Sequence, residues 1–116
     1  MSAAPFRRSR RTLLNSTVHT AAFELLEGER SRVNGVLHFT TVTTLLSEGS
    51  AAISNGRAAV IDLVGVKDSD SSGLALLIEW LSIARAASRS LRYENIPAQL
   101  HQLARLSEVE ELLTVK

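Results

Sequence analysis

Cysteine is absent from this 116-residue chain. Disulfides, thiolate nucleophiles and cysteine-held metals are thereby excluded, and the chain suits a reducing cytosol. No apolar run approaches the roughly 20 residues of a membrane-spanning helix, and the start lacks the apolar core of a secretory signal. Acid is missing from the first twenty residues, where Arg7, Arg8, Arg10 and Arg11 stand. Those four arginines leave nine Lys/Arg against twelve Asp/Glu from Ala21 onward, so the remainder carries −3 and offers no basic face for nucleic acid. Tryptophan occurs once, at position 80.

With 45% hydrophobic residues, the length fits one domain with a real core and is too short for two. Residues 1–20 are expected to form a basic, disordered leader, and residues 21–116 the domain. The leader's Arg- and Ser-rich composition also fits a transit sequence or an arm for anionic lipid.

Two short strand-like runs, 23–27 and 30–33, flank Gly28-Glu29 at hairpin spacing, while Asn34-Gly35 is a competing turn. TTVTTLLSEG (40–49) places Val42, Leu45 and Leu46 at helical spacing, with Gly49 as a C-terminal stop. AAVIDLVGV (58–66) is a continuous apolar run rich in β-branched residues, the pattern of a central strand buried on both faces. A helix over 72–87, a strand over 91–96 and a helix opened by Pro97 follow. SEVE (107–110) has the form of a capping box and predicts a short last helix. The order β-β-α-β-α-β-α-α implies an α/β fold with a mixed sheet of about four strands.

DSDSSG (68–73) joins the central strand to the following helix, where open α/β sheets commonly place functional groups. Asp70 or Ser71 can cap that helix, which accounts for one of them. Gly73 costs roughly 1 kcal/mol relative to alanine in a first turn, and so marks close backbone approach to a neighbouring segment or a partner. A phosphate on Ser71 or Ser72 would meet free N–H groups at the helix start, with Asp68 and Asp70 repelling it. Along the helix, Leu74, Leu77, Ile78, Leu81 and Ala84 form a stripe toward the sheet, and Leu76, Trp80, Ile83 and Ala87 a second stripe. Either the last helix covers that second stripe or it is a protein contact face, with Trp80 as the interface candidate and a homodimer as one outcome.

His19, His38 and His101 have no metal-ligand spacing, and the G-x-S-x-G elbow that would support a triad of Ser71, His101 and Asp62 is absent. Neither a metal, a cofactor nor an enzymatic activity is expected. Asp62, inside the buried strand, is expected to accept hydrogen bonds from the following loop.

VIDLVGVKDSDSSGLALL (60–77), supported by NGVLHFTTV (34–42) and NIPAQLHQLARLSEVEELL (95–113), resembles the STAS domain family over residues 21–114. That family includes anti-sigma-factor antagonists, sulfate-transporter tails and the MlaB-type subunit of the Mla phospholipid transporter. The resemblance implies helices packed largely on one side of the mixed sheet. It places a phosphoacceptor at Ser72 by similarity to the antagonists, or a functional hydroxyl at Ser71 by similarity to the Mla subunit. The continuation G-L-A-L-L, with Ala75 where antagonists carry glycine, is similar to the Mla branch. The implied function is a non-catalytic cytoplasmic subunit, peripheral to the inner membrane, that binds an ABC transporter ATPase serving outer-membrane lipid asymmetry. The contact would involve Asp68, Asp70, Ser71, Ser72, Gly73, Leu76, Trp80 and Ile83. The alternative implied partner is an anti-sigma factor serine kinase.

Overall fold

Alternation of buried and half-buried residues along β2 (Arg30–Leu37) divides the molecule: Ser31, Val33 and Leu37 face a core, and Arg30, Arg32 and Asn34 face away from it. The computed structural model describes residues 20–114, so the basic leader expected over residues 1–20 lies, but for Thr20, outside the described residues. β1 (Ala21–Leu25) pairs antiparallel with β2, which pairs parallel with β3 (Val60–Ser69), which pairs parallel with β4 (Arg92–Glu94). The helices are α1 (Val42–Ser54), α2 (Ser71–Ala86), α3 (Ala98–Leu106) and α4 (Glu110–Thr114). The result is the expected mixed four-stranded sheet in the order β1-β2-β3-β4, with α1 and α2 as the crossovers its two parallel pairs require.

The hairpin turns at Gly28-Glu29, both with positive φ, and Leu26 N–H closes it onto the Arg30 carbonyl at 2.8 Å. Asn34-Gly35 is not a turn; β2 runs through it, and Gly35 takes φ +104 where a Cβ would strike the Thr20 carbonyl. Two register shifts between β2 and β3 leave β3 with an extra residue at each. β3 therefore continues to Ser69, three residues past the apolar run that ended at Val66, and the loop before α2 shrinks to Asp70.

α1 also outruns its expected end, because Gly49 is no stop. It lies mid-helix against the Trp80 indole, whose ring occupies the space a Cβ would take. The helix ends instead in a Schellman motif, with Gly56 at φ +74, Gly56 N–H on the Ile53 carbonyl and Arg57 N–H on the Ala52 carbonyl. Ser107-Glu110 is not a capping box either. Ser107 closes α3, Glu108 turns left-handed at φ 61, and Val109 N–H returns to the Ala104 carbonyl, the same Schellman closure.

The two stripes on α2 are both real, but α1, not the last helix, covers the second. Leu76 is 3% and Trp80 0% exposed, with Phe23 of β1 meeting the indole edge-on at a centroid distance of 5.7 Å. Trp80 Nε1–H points at the Leu46 carbonyl of α1. The expectation that Trp80 presents a contact or dimer face is corrected: a continuous helix apolar on two sides is here sandwiched between the sheet and α1. Tyr93 closes the other side, donating its hydroxyl to the Leu77 carbonyl at 2.6 Å, and its burial pushes the phenol pKa well up.

The sheet face away from the helices is crossed by a row of charges in register, Glu24, Arg32, Asp62 and Glu94. Asp62 is the buried member of that row. It accepts from Val64 N–H and Asn95 Nδ2, each at 2.9 Å, so its partners are its own strand and the loop after β4. Burial alone would raise its pKa, but those bonds and the nearby Arg32 and Arg30 hold the carboxyl below its ordinary range.

Candidate functional site

The sheet end where β2 and β3 finish is built by hydrogen bonds between residues far apart in sequence. Leu37 pairs in register with Ser69, and Asp70 N–H donates to the Leu37 carbonyl at 3.0 Å. The loop after β2 and the N-terminus of α2 therefore leave the sheet side by side. Thr41 fixes the loop: its hydroxyl donates to the Val36 carbonyl at 2.7 Å and accepts from His38 N–H at 3.1 Å. His38 Nε2 lies 3.2 Å from Asp68 Oδ2, joining the loop to the end of β3.

Asp70 is the cap of α2, accepting from Ser72 N–H at 2.7 Å. The extended backbone at Asp70 directs the carboxylate back over the first turn. Ser71 is thereby released from capping and is exposed, and Ser72 is half-buried. Gly73 is buried beneath them, as a close-approach site should be: a Cβ there would strike the Ser69 hydroxyl and the Leu37 side chain. The neighbour it approaches is therefore this chain's own strand ends. Ser69 itself is buried, with its N–H on Gln99 Oε1 of α3 at 3.2 Å, so α3 braces the same corner. Hydrogen bonding from Gln99, from His38 and from Ser69 N–H holds the Asp68 carboxyl below its ordinary pKa although it is exposed.

Asp68, Asp70, Ser71 and Ser72 thus gather at one corner, with Gly73 under them. Leu76 and Trp80 lie in the core, and Ile83 is half-buried farther along α2. Residue-by-residue reading missed Phe39, which follows His38 in the bracing loop and is 73% exposed. An aromatic side chain two residues past the last buried leucine of a strand was the available signal. Its effect is an exposed apolar side chain next to His38, the residue that meets Asp68.

The triad of Ser71, His101 and Asp62 does not assemble. Asp62 is occupied on the open sheet face, and His101 lies 3.6 Å from Glu110, so neither joins Ser71 through a hydrogen bond. Among the described residues, no three His, Asp or Glu side chains converge as metal ligands, and no helix is long and apolar enough to cross a membrane.

Similarity to known proteins follows the same elements. A solved structure of the anti-sigma factor antagonist SpoIIAA in its unphosphorylated form is 21% identical, with a TM-score of 0.60, covering 77% of this chain and 83% of that one. The Bacillus cell fate determinant SpoIIAA in the phosphorylated form is 19% identical, with a TM-score of 0.56, covering 77% and 84%. These likenesses concern the fold. No curated protein matches the chain significantly. The family model described as "Mlab, STAS domain" matches residues 26–114, from the hairpin through α4. With the mixed sheet, its crossover helices and the Asp70-Ser71-Ser72-Gly73 corner in place, the chain belongs to the STAS domain family of the MlaB type.

Proposed function

We propose that this domain is a non-catalytic accessory subunit that docks on the cytoplasmic ATPase of a Mla-type ABC phospholipid transporter and regulates or stabilises it. In this role it resides in the cytoplasm, peripheral to the inner membrane, and serves outer-membrane lipid asymmetry. The observation that carries the reading, within a family model of the MlaB type, is the corner itself. An exposed phenylalanine follows His38, which meets Asp68 at the strand end that leads into Ser71 and Ser72, on a backbone braced by Thr41, His38 and Gln99. Aromatic anchors ringed by polar groups are the usual energetic centres of protein interfaces. A rigid corner that binds one ATPase conformation more tightly than another shifts the population toward it without chemistry.

The test is co-purification and titration of the domain with the ATPase. Phe39→Asp, which adds charge to an already exposed site, is expected to weaken binding at least tenfold, a loss of about 1.4 kcal/mol or more. Unchanged binding by Phe39→Asp combined with Ser71→Glu would eliminate the corner as the docking surface.

A second reading is favoured by the placement of the hydroxyls. Ser71 is exposed and Ser72 half-buried beside the two aspartates, so a phosphoryl group at Ser72 would add charge where a partner approaches. On this reading the domain is an anti-sigma-factor antagonist whose partner is a serine kinase. Ser72→Asp should then abolish kinase binding, and wild-type affinity in that variant would refute it.

A further inference from the structure

The opposite end of α2 carries a feature the docking corner does not use. A cleft of about 870 Å³ opens between the C-terminal half of α2, the start of β4 and α4. Ile78, Leu81 and Leu112 supply apolar wall, and Arg85, Arg89 and Arg92 stand around it with no acidic residue among those that line it. In a body whose charge is −3 from Ala21 onward, three arginines around one apolar cleft are a local reversal of sign.

The guanidiniums keep donors to spare. Arg89 reaches the Ser54 carbonyl at 3.4 Å and Arg92 reaches Glu94 at 3.3 Å, each through one nitrogen and at long range. Arg85 is exposed and makes no side-chain hydrogen bond or ion pair among the described residues. A guanidinium has five N–H donors in a planar fork that fits carboxylate and phosphate oxygens. The volume falls within the roughly 300–1,000 Å³ of small-molecule sites, and apolar walls with a few charged groups at the mouth are their usual lining.

We propose that this cleft binds a single-chain anionic amphiphile. An acyl chain would lie against Ile78, Leu81 and Leu112, and a carboxylate or phosphate head would be held by Arg85 with Arg92 and Arg89. Burial of the chain removes apolar surface from water on both partners, and the arginines select the anionic head. The site lies roughly 20 Å from the docking corner along α2, at 1.5 Å rise per residue, and does not depend on the proposed partner there.

The test titrates the full chain with pyrene-labelled hexadecanoate below its micelle-forming concentration. Saturable binding is expected, with displacement by hexadecyl phosphate and at least tenfold weaker displacement by the uncharged monoglyceride of the same chain length. Arg85→Gln, a change at an exposed side chain, should weaken the probe severalfold, and Arg85→Gln with Arg92→Gln at least tenfold. Circular dichroism and urea midpoints serve to confirm that both variants stay folded. Absence of saturable binding, equal competition by the monoglyceride, or full affinity in the folded double variant would each overturn the proposal. So would saturable binding of an acidic amphipathic peptide by a chain that ignores the probe.

Discussion

At the N-terminal end of α2 the charged and polar groups are engaged: Asp70 holds Ser72 N–H, Asp68 meets His38, and Ser69 N–H meets Gln99. At the C-terminal end three arginines line an apolar cleft, and Arg85 has no side-chain hydrogen bond or ion pair among the described residues. The N-terminal corner is built from three elements distant in sequence, so its shape is determined before any partner arrives. The C-terminal cleft is lined by apolar side chains and by arginines, the combination that the proposed amphiphile would match. One helix therefore carries the proposed docking corner at one end and the cleft proposed to take an amphiphile at the other.

The largest perturbation should ignore the distinction between the ends. Trp80 sits between them, fully buried against Gly49 and Phe23, and Trp80→Ala should cost about 3–5 kcal/mol in urea denaturation. Amide exchange should then rise at both ends of α2; exchange confined to one end would show that the ends are not coupled through this residue.

Gly73→Ala should act on one end. Its methyl would meet the Ser69 hydroxyl and the Leu37 side chain, and overpacking of that kind costs about 1–3 kcal/mol. Partner binding at the corner should weaken while amphiphile binding at the cleft stays within twofold. A loss of both would reveal that the corner's geometry propagates along the helix.

Smaller changes should move the ends in opposite directions. Asp70→Ala removes the cap and is expected to cost about 1 kcal/mol. Ser88, just past the C-terminus of α2, adopts φ 57, a conformation that glycine enters without penalty. Ser88→Gly should therefore raise stability by some tenths of a kcal/mol. Thermal or urea midpoints check both signs, and a destabilised Ser88→Gly would contradict the left-handed closure.

The mildest lever is acid. Asp68 at the corner and Asp62 on the open sheet face have carboxyls held below their ordinary values. Stability from a carboxyl held low is present above the unfolded value of about 3.9 and is lost as pH falls through the lower folded value. Acidification should therefore loosen the amides of residues 68–72 below the ordinary aspartate range. The cleft lining itself carries no acid, but Arg92 pairs with Glu94, whose carboxyl Arg30 and Arg92 also hold low, so that one pair should loosen in the same range. Nuclear magnetic resonance titration of the Asp68 carboxyl should give a midpoint below that of a model aspartate, and a normal midpoint would remove the argument.

Much of this architecture was legible in local pattern. The apolar run from Ala58 identified the central strand but not its burial, since the face away from the helices is open and Val64 is 61% exposed on the strand; the 3.6-residue spacing from Leu74 identified α2 with both of its apolar stripes, and the crowding implied by Gly73 was found as expected. The cluster of Asp68, Asp70, Ser71 and Ser72 was likewise visible, because those residues are consecutive or nearly so and share one corner. Phe39 was not visible as part of it. Its membership depends on β2 and β3 ending together, which the register decides through two irregularities that no single segment displays.

The misplaced ends have a common cause. Lys67, Asp68 and Ser69 are polar residues that a strand accepts once a neighbour supplies its ladder, and Gly49 is tolerated mid-helix once an indole fills the space above it. Neither compensation is encoded within the segment concerned. Local sequence was sufficient for the order of the elements and for the presence of two apolar faces on α2, because periodicity and turn chemistry act within a few residues. The burial of Trp80, the assembly of the Phe39 corner and the grouping of Arg85, Arg89 and Arg92 around one cleft required the folded chain. Each depends on which distant surface comes to lie against which, and that is set by packing across the whole sheet and its helices.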